Sequence, residues 1–131
     1  ARIAREFAAL GVRAVYLNVS PLDGPEDMAD DAARYGLDGL YAADHDFVVA
    51  NRLGVITTAE TFLFDADRTL RSRGAIDDQY GIRFTKHEPR VHWLRDALAE
   101  VLAGNDVSVP STPPEGCYLA REVHQHQEHG P

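Results

Sequence analysis

The stretch Val12 to Val19, VRAVYLNV, constrains the fold of this chain most. It is nearly continuous in apolar residues, which suits a parallel strand covered on both faces rather than a one-sided strand alternating with period two. Ahead of it, Ala1 to Leu10 reads helical, with Ile3, Phe7 and Leu10 on one stripe and Gly11 as the stop. Beyond it, Pro21 to Gly24 reads as a loop, and Pro25 opens a helix that runs to about Tyr35. Gly36 and Gly39 punctuate a short strand, Leu40 to Ala43. Asp44 or Asp46 then caps a helix through Phe47, Val48 and Asn51 to Leu53, ended by Gly54.

The second half changes character. Thr61 to Phe64 and Thr69 to Arg73 flank the polar turn Asp65-Ala66-Asp67-Arg68, the pattern of a β-hairpin. Gly74 to Pro89 reads mostly as loop. Val91, Leu94, Leu98, Val101 and Leu102 recur at three- and four-residue spacing and mark a helix stopped by Gly104. The domain is therefore expected over 1–104. Residues 105–131 read as an extended Pro/His-rich tail or linker in which Pro110, Pro113 and Pro114 oppose regular structure. A crossover unit followed by two hairpin strands and a helix places the chain in the α/β class. No internal repeat is visible.

Composition narrows the function classes. A formal charge of −8 argues against nucleic acid, whose binding needs clustered Lys and Arg. No apolar run approaches the ~20 residues of a membrane-spanning helix, and no signal-peptide pattern is read within these residues. The chain starts at Ala1, already in helix-like sequence, and is read as processed or incompletely represented at its N-terminus. A single cysteine, Cys117, rules out a disulfide or a CxxC pair within these residues.

Several side chains invite a chemical reading beside a plain one. Cys117 is either a resolving thiol or an inert cysteine in a tail that packs back on the domain; Glu115, Gly116 and Tyr118 offer no cation to lower its pKa. His124, His126 and His129 have spacings that suit copper, nickel or zinc, or else belong to a surface tail. Asp77 and Asp78 are paired carboxylates for acid-base or cation work, or a turn whose side chains bind local amides. Asp44, His45 and Asp46 read as a helix cap. His87 and His92 bracket a helix start, with Trp93 and Phe84 read as core or interface. Gly-rich phosphate loops and Ser/His/Asp arrangements are absent, and no cofactor is expected.

Taken in order, Ala4 to Val19, Ala33 to Val55, Thr58-Ala59-Glu60, Asp65-Ala66-Asp67, Gly74-Ala75-Ile76-Asp77-Asp78 with Tyr80, Leu102 to Gly104 and Thr112 with Gly116-Cys117 resemble one family. It is the extracytoplasmic redoxin group related to alkyl hydroperoxide reductase C and thiol-specific antioxidant proteins. The resemblance implies a thioredoxin-like three-layer sandwich with a mixed sheet, whose first, central strand is missing from this sequence. The family's reactive cysteine would precede the first helix. Ala59 stands where the family carries a proline, usually cis, and a cis bond before Ala costs about 3 kcal/mol.

The resemblance also implies an upstream segment, or a strand from other protein subunits, to fill the central slot, each orphaned buried backbone group otherwise costing about 1–3 kcal/mol. Two functions follow as expectations. One is a non-catalytic module that binds or buttresses partners in an extracytoplasmic, periplasmic assembly. The other is a thiol-disulfide or peroxide oxidoreductase whose reactive cysteine lies upstream of Ala1, with Cys117 as second thiol. Metal handling by the histidine tail is a third.

Overall fold

A computed structural model describes residues 2–20, 22–37, 39–78, 80–81, 84–85 and 91–118. The chain is α/β, with small sheets, and divides into two units, 1–54 and 55–131. Among the described residues the strands form four two-stranded sheets, one parallel and three antiparallel, rather than one mixed sheet.

The first unit runs α1 (Arg2–Ala8), β1 (Val15–Asn18), α2 (Pro25–Tyr35), β2 (Leu40–Ala43) and α3 (Val48–Leu53). β1 and β2 are parallel, with Val15 opposite Leu40 and Asn18 opposite Ala43. α2 is the crossover between them: Pro25 sits in its first turn, the Asp27 carboxylate accepts the Gly24 N–H at 2.8 Å, and Gly36 ends it at φ 61°. Two expectations are corrected here. α1 stops at Ala8, leaving Leu10 60% exposed in the turn beyond the helix, while Phe7 is buried. β1 is shorter than VRAVYLNV and is not covered on both faces, since the adjacent Val15 and Leu40 are 60% and 61% exposed.

The second unit runs β3 (Thr57–Ala59), β4 (Thr61–Phe64), β5 (Leu70–Gly74), β6 (Tyr80–Gly81), β7 (Phe84–Thr85), α4 (Trp93–Leu102) and β8 (Glu115–Tyr118). β4 and β5 are the expected hairpin, with a register shift after Leu63. The Asp65 side chain ties its turn by accepting the N–H groups of Asp67 and Thr69 at 2.9 and 3.0 Å. α4 packs on β4 and β5 and buries Ala97 and Leu98.

The segment after α4 differs from the irregular tail expected of it. Arg73 donates its N–H to Pro110 and accepts from Thr112, and β8 then pairs antiparallel with β3. The prolines only precede β8; they do not prevent it. Gly74 permits this return at φ 131°, because a Cβ there would fall inside contact distance of the Thr112 backbone.

Candidate functional site

In a strand, the N–H and C=O of one residue point to the same side, and successive residues alternate. The Asn18 carbonyl accepts the Asp44 N–H at 2.7 Å, so Asn18 and Tyr16 face β2. Val15 and Leu17 therefore present their backbone groups to the opposite edge, which no strand occupies among the described residues. In the second unit, Arg73 faces the 110–112 segment, so Ser72 and Gly74 pair with Leu63 and Thr61. Phe62 and Phe64 then turn their backbone groups to an edge of β4 that likewise has no strand among the described residues.

The carboxyl end of the parallel pair is polar and buried. Asn18 accepts the Ser20 N–H at 2.8 Å and donates to Asp23 at 2.9 Å and to the Tyr41 hydroxyl at 3.0 Å. Asp44 accepts the N–H groups of Val49 and Ala50 at 3.1 and 2.8 Å, the capping role expected for it. Phe47, between cap and helix, takes φ 58°, a region that suits few side chains. His45 buries its Nε2 without a hydrogen-bond partner.

In the second unit the side chain of Glu60 is 1% exposed and closes the turn between β3 and β4. It accepts the Ile56 N–H at 2.6 Å and the Arg73 Nε–H at 3.0 Å. The Arg73 guanidinium lies 4.6 Å from the centre of the Phe62 ring. The pair went unread in the sequence. A hairpin register that sets Phe62 opposite Arg73 would have signalled it, because an acid just before one strand then lies diagonally near an arginine on the other.

The other expected residues fall as follows. Ala59 is extended in β3 opposite Glu115, and no cis peptide occurs among the described residues. Gly116 and Cys117 lie on β8 between the pairs Thr57–Tyr118 and Ala59–Glu115, so two residues there oppose Thr58 alone. Asp78 accepts the Val91 N–H at 2.9 Å and donates its own N–H to the Val91 carbonyl at 3.2 Å, fixing the approach to α4. The nitrogens of His92 and Arg95 stand 3.4 Å apart. His87, His124, His126 and His129 lie outside the described residues. Among the described residues no three His, Cys, Asp or Glu side chains gather to hold a metal, and no helix is long and apolar enough to cross a membrane.

No family model matches the chain, and no curated protein matches it. Solved structures similar to it include two of uncharacterized proteins. A hypothetical protein from Sinorhizobium meliloti 1021 superposes with a TM-score of 0.81 at 27% identity, over 94% of this chain and 69% of that one. An uncharacterized conserved protein from Geobacillus kaustophilus superposes with a TM-score of 0.76 at 29% identity, over 92% of this chain and 66% of that one. The chain thus spans about two thirds of the length of each.

Proposed function

We propose that this chain is a thioredoxin-like module of redoxin type that binds or buttresses a partner by accepting a strand. On this reading it turns over no thiols itself and belongs to a larger extracytoplasmic assembly. The edge of β1 that no strand occupies among the described residues carries the proposal. Val15 and Leu17 offer donors and acceptors to a further strand, beside a sheet face on which Val15 and Leu40 remain exposed. β4, in the second unit, also has an edge with no strand among the described residues, at Phe62 and Phe64. The extracytoplasmic placement rests on the resemblance alone.

The test pairs hydrogen exchange with a thiol assay. The chain is mixed with the acetylated, amidated probe Thr-Val-Thr-Val-Thr. The Leu17 amide should slow on mixing, while the Tyr16 and Asn18 amides, already bonded to β2, should not change. Unchanged Leu17 exchange at millimolar probe would overturn the reading. So would insulin-disulfide reduction by the chain that is lost in Cys117→Ser.

One observation favours the oxidoreductase alternative. β8 sets Gly116 and Cys117 against Thr58, one residue from the Ala59 position that the resemblance places against substrate. There Cys117 would act as the second thiol. Its thiolate would attack the sulfur of a mixed disulfide, form the new S–S bond and release the other sulfur as thiolate.

A further inference from the structure

A cleft of about 370 Å³ runs along α4 in the second unit, walled by Val91, Trp93 and Val109, with Asp96 and Glu100 on its sides. It falls within the ~300–1,000 Å³ usual for ligand sites. By contrast, the space between β5 and α4 on another side of Trp93 is closed to about 10 Å³. Trp93, Asp96 and Glu100 are three and seven residues apart on α4 and so share a face. Val91 and Val109 are 39% and 45% exposed.

Charge decides what fits. Ser108 donates its N–H to both Glu100 oxygens at 3.2 Å and its hydroxyl to one of them, which holds the far wall in place but brings no positive charge. Asp96 is exposed and pairs with no cation among the described residues, and among those residues no Lys or Arg lines the cleft. Two carboxylates that meet no cation among the described residues, beside an indole and two valines, match a flat cation with apolar faces. Arginine meets that description better than lysine: its guanidinium stacks on an aromatic ring and forks onto a carboxylate, whereas an ammonium is a hydrated point charge. The net charge of −8 adds long-range attraction for a basic partner.

We propose that this cleft binds an arginine side chain presented by an extended segment of a partner protein. The guanidinium lies against Trp93 and Asp96, and the flanking residues rest on Val91 and Val109. Failure of strand docking at β1 would leave the cleft untouched, so the two ideas stand or fall separately.

Trp93 is the only tryptophan in the chain, so its indole N–H reports directly on the cleft. The full chain is titrated with acetyl-Gly-Val-Arg-Val-Gly-amide and followed by proton–nitrogen correlation spectra. The indole signal should shift to saturation, and the affinity should weaken in high salt. Asp96→Asn should lower that affinity by about tenfold, the weight of one charge-assisted contact of about 1.4 kcal/mol. Its circular dichroism and its Ser108 amide shift should stay unchanged. Any of four results overturns the proposal: no shift at millimolar peptide, equal binding of the peptide carrying Gln for Arg, unaltered affinity in Asp96→Asn, or equally tight binding of free N-acetyl-arginine amide, which would make the cleft a small-molecule site.

Discussion

Arg73 holds Glu60 in place: the arginine Nε–H reaches a Glu60 oxygen at 3.0 Å, with the carboxylate side chain 1% and the arginine side chain 28% exposed. The acid is out of water and the base is not, so the two partners are unequal. Removing the base strands a buried charge. Arg73→Met should therefore cost about 3–5 kcal/mol in urea unfolding. Glu60→Gln keeps an acceptor for the Ile56 N–H and removes the charge, and should cost clearly less.

Asp44 satisfies two amides of α3 with one side chain. Asp44→Ala should lower stability by about 1–3 kcal/mol, with Asn recovering part of the loss, as measured by chemical denaturation. Fast hydrogen exchange at the Val49 and Ala50 amides of the Ala variant would locate the damage.

Asp65 should make the β4–β5 hairpin pH-dependent. Its pKa is held below the ordinary aspartate value, chiefly by the Thr69 amide; burial opposes this, and the Arg71 guanidinium and the Asp67 amide add to the lowering. A lowered folded-state pKa contributes stability that is complete above the unfolded value of about 4 and lost as pH falls through the folded one. The stability difference between the wild type and Asp65→Asn should be constant near neutrality and shrink below about pH 4. A difference that grows on acidification would refute the assignment.

Gly74 should not tolerate a side chain. It combines φ 131° with close approach of the Thr112 backbone. Gly74→Ala should cost about 2–4 kcal/mol from strain and overpacking together. Loss of protection at the Arg73 and Thr112 amides should accompany it, because those bonds join β5 to the returning segment.

Proline can ask the backbone of β1 which way each residue points. Leu17 turns its N–H outward and Tyr16 turns its N–H to β2. Relative to alanine at the same position, Tyr16→Pro should cost at least about 1 kcal/mol more than Leu17→Pro, the worth of one ladder hydrogen bond. Equal costs, read by thermal or urea unfolding, would contradict the assigned direction.

What could be read in the sequence was whatever has a short period or a local cap. The helix around Leu94 and Leu98, the Asp65 turn and the Asp44 cap each depend on neighbours within a few positions, and each is found. The β3–β8 ladder joins distant residues through a proline-rich approach, so no local pattern announces it. Glu60 and Arg73 meet only because the hairpin folds one strand onto the other. The exposed face of Val15 and Leu40 was misread because a continuous apolar run says that a strand wants cover, not what provides it.

β1, with the sequence VYLN, carries no charge and no proline, and its ladder with β2 has no bulge. Those are the usual means by which sheet proteins discourage mutual adhesion. Concentration is therefore a variable to control for this molecule: an edge that no strand occupies among the described residues, at Val15 and Leu17, is one that a second copy could pair with.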